Sequence, residues 1–314
     1  MKILIVGANG YIGKYLVDFF SSQKIEVYAL TRKPEQFDSS YDVFNVVDKN
    51  LFSPAKRTLD LLNYVNHVIF CAGNSSTEVD ISKSEEKKYL EINSLLPYFW
   101  AKKSLESNIE KFIFLSSAKV YGDCSELNKP FTVMTRPNPK GIYAKSKLIA
   151  EKKLLSLNNK RIIKIIRMPI VYGVDAKSNL NKFIKLAYGP LVFNFRKFNA
   201  KRSYLGIENL TSFIVFLINN TDLLEDLFLI SDNSNISLEE ISCFLADEKN
   251  NYFSINIYPV YLKIFFSLLR KKDFFEKLVC NFEIDIKEQC DKLGWTPNLT
   301  TYEGIRNILD SKGL

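Results

Sequence analysis

Tyr143 and Lys147 lie four residues apart in Tyr143-Ala144-Lys145-Ser146-Lys147, a stretch that reads as helix. That spacing puts both on one helix face, so the phenol and the ammonium project into the same space. A phenol titrates near ~10, and a fixed cation beside it favours the phenolate. The pair is therefore a proton donor and acceptor usable near neutral pH. The spacing alone is common, and position gives it weight. Upstream, the apolar run from Lys111 to Leu115 reads as a strand, with Ser116-Ser117-Ala118-Lys119-Val120-Tyr121-Gly122 at its carboxyl end. Open α/β sheets bind ligands outside the carboxyl ends of their strands. Ser117 is thus the hydroxyl placed for chemistry.

The second stretch with chemistry in it is Gly7-Ala8-Asn9-Gly10-Tyr11-Ile12-Gly13. It follows the apolar run Lys2 to Val6 and precedes Ile12, Leu16, Phe19 and Phe20 at helical spacing. Strand, glycine turn and helix make the first unit of a dinucleotide-binding fold. Gly7 permits the tight turn, Gly10 lets backbone approach a pyrophosphate, and Gly13 allows close helix packing. The ribose-reading residue is expected about 20 residues further on, after the second strand (residues 25–30). There the sequence has Thr31-Arg32-Lys33 where an acidic residue would select NAD. A guanidinium suits a 2′-phosphate. NADP(H) is the preferred cofactor, with NAD(H) left open.

The elements that must position these groups alternate. Val43 to Val47 reads as the third strand and ends at Asp48. His67 to Phe70 is the fourth, ending in Cys71-Ala72-Gly73, small enough for a cofactor to pass. Residues 84–104 are helical and contain Asn93; residues 161–166 are the sixth strand, followed by Arg167-Met168-Pro169. The alternation implies an α/β protein with a Rossmann-like doubly wound parallel sheet. Beyond Gly173 the pattern turns irregular and aromatic. Helices are expected at 209–219 and 238–245, the latter with Ser237 and Glu240 as a capping box. A short strand is expected at 227–231 and a last helix from about Tyr302. The expected domains are 1–168 for the dinucleotide, completed by about 205–232, and a smaller C-terminal substrate-binding lobe of 169–204 and 233–314.

Composition narrows the class. The chain has 314 residues, is 46% hydrophobic and 25% charged, and carries a formal charge of +8. Its basic residues are scattered, which suits small anionic ligands and not nucleic acid. The five cysteines (Cys71, Cys124, Cys243, Cys280, Cys290) show no Cys-x-x-Cys spacing, so buried thiols are expected in preference to disulfides or a metal site. The one histidine, His67, leaves no room for a multi-histidine metal site and reads as a satisfied or solvated loop residue. The opening residues are too short for a signal peptide, and no apolar run approaches the ~20 residues of a membrane span. A cytoplasmic protein without an integral membrane segment is expected. Residues 258–272 are basic and aromatic; of a membrane-surface segment and a helix covering the small lobe, the covering helix is expected.

These motifs together resemble the extended short-chain dehydrogenases/reductases of the epimerase/dehydratase superfamily. The resemblance rests on the glycine turn, Ser116 to Gly122, Tyr143 with Lys147, Arg167-Met168-Pro169, Arg202-Ser203-Tyr204 and Leu293-Gly294-Trp295. It implies that Ser117 holds the substrate carbonyl oxygen, that Tyr143 is the general acid/base, and that Lys147 binds the nicotinamide ribose and lowers the Tyr143 pKa. By the same resemblance Gly7, Gly10, Tyr11, Ile12, Gly13, Arg32, Asp48, Ala72, Gly73, Asn93 and Pro169 contact the cofactor. Asn179 and Arg202 match positions that grip a UDP-sugar.

Dehydratases of this superfamily carry an Asp-Glu pair where this chain has Ala118-Lys119, which puts elimination of water in doubt. Val171-Tyr172-Gly173, Lys177-Ser178-Asn179, the run from Lys201 to Leu210 and the tail are most similar to bacterial reductases of UDP-4-keto-6-deoxy-N-acetylhexosamines from surface-polysaccharide pathways. The resemblance therefore implies NADPH-dependent reduction of the 4-keto group. A UDP-hexose or UDP-N-acetylhexosamine 4-epimerase remains the alternative, and a non-catalytic NADP-sensing regulator a third reading. A homodimer is common in the superfamily.

Overall fold

Runs of branched and aromatic residues pair side by side as buried strands in the computed structural model, which describes residues 1–33, 37, 43–74, 83–188, 192–249, 254–269 and 272–311. In chain order come β1 (Lys2–Val6), α1 (Tyr11–Ser22), β2 (Glu26–Thr31), β3 (Val43–Val47), α2 (Lys56–Asp60), β4 (His67–Phe70), α3 (Lys83–Leu90), α4 (Leu96–Leu105), β5 (Lys111–Leu115), α5 (Gly141–Leu155) and β6 (Ile163–Arg167). Then follow β7 (Ile170–Tyr172), α6 (Asn179–Ala187), β8 (Val192–Phe195), β9 (Lys201–Gly206), α7 (Ile207–Asn219), β10 (Leu227–Leu229), β11 (Asn235–Ser237), α8 (Leu238–Glu248), β12 (Ser254–Ile257), α9 (Pro259–Leu268), α10 (Lys272–Val279), α11 (Lys287–Leu293) and α12 (Thr301–Ser311). Two compact units result. One holds Met1–Val120, Pro137–Met168 and Phe213–Leu229; the other holds Tyr121–Arg136, Pro169–Ser212 and Ile230–Leu314.

The first unit is built on a seven-stranded sheet in the order β10-β6-β5-β4-β1-β2-β3. All pairs are parallel, as the helical crossovers demand. The doubly wound parallel sheet is thus the expected one. Strand order reverses between β1 and β4, and ligands of such sheets bind at that switch point. Val6, Val68, Phe70, Phe112 and Phe114 pack with Trp100, Ala150 and Leu154 into one core. Two strand lysines are buried in it. Lys164 Nζ donates to the carbonyls of Lys160 (2.6 Å), Leu223 (2.6 Å) and Glu225 (2.7 Å). Lys111 Nζ donates to Arg161 O (2.8 Å) and Thr221 O (3.1 Å). Each ammonium caps backbone that would otherwise be unsatisfied.

The second unit has a three-stranded sheet, β11-β9-β7, and a two-stranded one, β12-β8. Tyr172, Ile184, Phe195, Phe198, Ile241 and Ile305 are among its core. The capping box of α8 is present: Glu240 N donates to Ser237 Oγ at 3.1 Å, and Ser237 N to Glu240 Oε2 at 2.7 Å.

Two expectations need correcting. Cys124 and Cys280, separated by 156 residues, form a disulfide, leaving Cys71, Cys243 and Cys290 as thiols. Their Cα atoms are 5.6 Å apart because residues 123–131 run beside 280–285, with Ser125 N on Asn281 O and Phe131 N on Glu283 O, both 2.8 Å. His67 is neither solvated nor fully satisfied: it is buried in β4 and its Nδ1 has no hydrogen-bond partner. Burial pulls its pKa down to about 4. The helix expected in the basic, aromatic stretch is α9, which packs Leu262 on the core of the second unit and leaves most of its other apolar residues exposed. Arg270 and Lys271 of the same basic stretch lie outside the described residues. No helix among the described residues is long and apolar enough to cross a membrane.

Candidate active site

β1 feeds the glycine turn, and Gly7 takes φ 86°, a left-handed conformation that favours glycine. A Cβ there would stand 2.6 Å from Ala72 N, and one at Gly13 would stand 2.4 Å from Gly7 O. Gly10 differs: its Cβ would meet only Gly7 O, at 3.4 Å, so its outer side is open. Gly10 is also the N-cap of α1, whose first turn has no acidic residue. Exposed amides and the positive end of the helix dipole meet there, which fits the pyrophosphate of a dinucleotide. Tyr11 and Ile12, both half-buried, form the start of that helix.

At the end of β2 the Thr31 hydroxyl donates to Lys33 O at 2.6 Å, and Arg32 and Lys33 are exposed. Asp48, just after β3, accepts from Ala55 N (2.8 Å), Thr58 Oγ1 (2.9 Å) and Asn50 N (3.1 Å). Burial pushes its carboxyl up, but these donors outweigh it and hold the pKa below the usual value. Its carboxylate thus shapes the loop after β3.

Ser117, Tyr143 and Lys147 all belong to the first unit. Ser117 Oγ accepts from Lys119 N at 3.2 Å, which fixes its rotamer. Burial raises the Tyr143 pKa, and the neighbouring Ser117 hydroxyl opposes the rise. Lys147 is buried one turn further along α5. Its Nζ donates to Leu115 O at 2.7 Å and lies 4.6 Å from the centre of the Phe114 ring. Burial pulls its pKa down to about 8, against Glu151 and Cys71, which raise it. The Cys71 thiol is pushed up to about 12 by burial. A Cβ on Gly73 would sit 3.3 Å from Asn93 Oδ1 and 3.6 Å from Lys147 Nζ, so the glycine keeps open the space beside both.

Ser117, Tyr143 and Lys147 were expected from the sequence, but what holds them was not. Glu151 continues the Tyr143–Lys147 face by one more turn, and that spacing was the available signal. It is buried, accepts from Arg167 Nη2 at 2.6 Å and Nε at 3.1 Å, and accepts from Ser116 Oγ. The ends of β5 and β6 are thereby tied to α5. Asn93 sits in a turn of π-helix (Glu91–Leu95) between α3 and α4. Its amide accepts from Asn74 N (2.7 Å) and donates to Asn74 O and Ser146 Oγ (both 3.0 Å). Ser146 Oγ in turn donates to Tyr143 O at 2.8 Å. A widened turn that aims one polar side chain inward is typical of functional sites.

Arg202, Asn179 and Pro169 belong to the second unit. The Arg202 guanidinium lies 5.6 Å from the centre of the Phe282 ring, and Nη1 donates to Cys280 O at 3.2 Å. Asn179 is exposed at the start of α6, where Ser178 Oγ accepts from Asn181 N at 3.1 Å. Pro169 is half-buried just before β7. Asp232 organises this unit. Its carboxylate accepts from Asn209 Nδ2 (2.7 Å), Gly206 N (2.8 Å), Tyr172 Oη (2.8 Å) and Thr301 Oγ1 (3.0 Å).

The profile of the NAD dependent epimerase/dehydratase family matches residues 3–229. The chain belongs to that family. It is accordingly an enzyme. A UDP-glucose 4-epimerase of Vibrio cholerae is 30% identical over 97% of this chain and 93% of its own. A dTDP-4-dehydro-6-deoxyglucose reductase of Escherichia coli is 23% identical over 98% of this chain and 96% of its own. Among solved structures, a UDP-N-acetylglucosamine 4-epimerase from Bacillus cereus superposes with a TM-score of 0.74 at 20% identity, covering all of this chain and 97% of that one.

Proposed function

We propose that this enzyme reduces the 4-keto group of a UDP-4-keto-6-deoxy-N-acetylhexosamine with NADPH. The observation that carries the proposal is a Tyr143 phenol whose pKa burial raises, with Ser117 beside it. A phenol held in its protonated form is set to donate, and reduction of a ketone needs a proton donor at the nascent alkoxide. The nicotinamide dinucleotide, when bound, supplies the hydride.

Ser117 hydrogen-bonds the carbonyl oxygen and goes on stabilising it as negative charge develops. Tyr143 transfers its proton to that oxygen. Lys147, charged below pH of about 8, stabilises the phenolate left behind and holds the ribose. The glycine turn and the start of α1 take the pyrophosphate, and Asn93 with Gly73 borders the nicotinamide side. Arg32, exposed after β2 where NAD enzymes place a carboxylate, supports NADPH as the donor. Pro169, Asn179 and Arg202 are assigned to the nicotinamide and the UDP-sugar diphosphate through the family resemblance. UDP as the nucleotide rests on the relatives' substrates and on Arg202 as a diphosphate partner.

A second reading, the 4-epimerase, is favoured by the relative of 30% identity over nearly the full length. NADPH absorbance followed with UDP-4-keto-6-deoxy-N-acetylglucosamine, with NMR identification of the product, separates the two. The proposal expects stoichiometric NADPH loss and a 4-hydroxyl product. Protein that carries bound NAD and interconverts UDP-N-acetylglucosamine and UDP-N-acetylgalactosamine without net NADPH consumption overturns it.

A further inference from the structure

Ser116, Glu151 and Arg167 are buried together in the first unit, and no step of the proposed reaction uses them. Glu151 lies one turn beyond Lys147 on α5. Its Oε1 accepts from Ser116 Oγ and from Arg167 Nε at 3.1 Å, and its Oε2 accepts from Arg167 Nη2 at 2.6 Å. Ser116 also donates its backbone N–H to Ile166 O at 2.7 Å, so its main chain is fixed as well as its hydroxyl. The peptide that joins Leu115 to Ser116 carries the carbonyl on which Lys147 Nζ rests, at 2.7 Å. Glu151 thus reaches the lysine by two routes, along one helix face and through one peptide at the end of β5.

Charge points the same way. Burial draws the Lys147 pKa down, and two groups oppose it, Glu151 on α5 and Cys71 after β4. The Cys71 thiol is itself pushed up to about 12 and is largely neutral where Lys147 titrates. Tyr143, on the same helix face, is also neutral there, because burial raises its pKa. That leaves the Glu151 carboxylate as the negative charge of this set, with Arg167 answering it from the end of β6. We propose that Glu151 is the positioning residue for Lys147: its buried carboxylate holds the Leu115–Ser116 peptide against the lysine and supplies the negative charge that acts on the ammonium. The inference rests on Lys147 serving the reaction as proposed above. A purely structural Glu151–Arg167 pair would cost stability when broken and leave the lysine's titration where it is.

The titration of Lys147 can be read without turnover. In protein labelled with carbon-13 at the lysine Cε, NMR assigns the Lys147 resonance by its loss in Lys147→Arg. It should titrate at about 8 in the wild type. In Glu151→Gln it should titrate about one unit lower, and the alkaline limb of kcat/KM should move down with it. Ser116→Ala keeps the carboxylate and removes only the hydroxyl link; it should lower kcat several-fold and leave the limb in place. Should Glu151→Gln not fold, Glu151→Leu/Arg167→Met strands neither charge and carries the same measurement, its Lys147 again titrating below the wild-type value. A folded Glu151→Gln that is less stable but titrates Lys147 as the wild type does overturns the proposal and makes the pair structural. Wild-type kcat in Ser116→Ala overturns the link through the peptide. A Lys147 resonance that shifts as expected, in a protein inactive on the keto-sugar, upholds this inference and overturns the reductase reading.

Discussion

Arg167 grips Glu151 from two nitrogens, Nη2 at 2.6 Å and Nε at 3.1 Å from the same carboxylate oxygen, Oε2. Both side chains are buried, and Ser116 donates to the carboxylate's other oxygen. Glu151 lies one turn from Lys147, so this pair sets where α5 stands against the ends of β5 and β6. Breaking a buried, hydrogen-bonded ion pair leaves a charge unpaired and costs about 3–5 kcal/mol. Glu151→Gln should lose that much in urea denaturation. Glu151→Leu/Arg167→Met should be less destabilised than the sum of its single variants, because neither charge is stranded. Additive losses would mean that the two side chains act separately.

Under the proposed mechanism Lys147 gives the reaction an alkaline limit. Burial holds its pKa down to about 8, so its ammonium deprotonates in a range where Tyr143, whose pKa is raised, keeps its proton. With keto-sugar and NADPH, kcat/KM should be level up to about pH 8 and fall above it, because that ratio reports the free enzyme. Lys147→Met should remove this limb and lower kcat/KM by roughly 10²–10⁴-fold. Tyr143→Phe should lower turnover by a comparable factor while dinucleotide affinity, read by fluorescence titration, holds. A limb that persists in the Met variant would assign the titration to another group.

The strands were legible in the sequence because they follow a short-range rule. β1, β3, β4 and β5 are short, largely apolar runs whose bounds match the expected ones, and glycine, aspartate or serine directly follows β1, β3 and β5. The capping box of α8 spans four residues and was visible for the same reason. What escaped notice is held by distant partners. Lys164 interrupts an apolar strand and is buried only because carbonyls of residues 223 and 225 meet its ammonium. The Cys124–Cys280 pair depends on two segments 156 residues apart running side by side. The π-turn at Asn93 keeps the helical pattern and shifts only its phase. For α9, apolar periodicity located the helix but could not tell which face would be covered.

His67 makes acid stability readable at one site. Its folded pKa is about 4 against 6.5 for the free side chain, chiefly through burial. Between those values the unfolded chain binds a proton that the folded one does not, so stability rises with pH through the window and is lost as pH falls from about 6.5 toward 4. The single-site contribution is roughly 3 kcal/mol. Because it is the chain's one histidine, a single imidazole resonance should titrate near pH 4. His67→Asn should flatten the stability curve between pH 4 and 6.5. An imidazole that titrates near 6.5 would show that the ring is reached by water.

Gly304 puts a sign on helix propensity. It lies in α12, where alanine ordinarily stabilises by about 1 kcal/mol. Here a Cβ would stand 2.3 Å from Tyr172 Oη and 2.9 Å from the ring carbons Cε2 and Cζ. The ring has little room to give, because Tyr172 is fully buried and its hydroxyl donates to Asp232 Oδ2 at 2.8 Å. Gly304→Ala should therefore destabilise the protein by about 1–3 kcal/mol, against its propensity. Tyr172→Phe removes the atom in closest conflict, while Asp232 Oδ2 keeps its bond from Thr301. The double variant should then unfold at a higher urea midpoint than additivity of the two single losses allows. A Gly304→Ala protein as stable as the wild type would mean that α12 shifts away from Tyr172, and the Asp232 bonds to Tyr172 and Thr301 would then be seen to lengthen together.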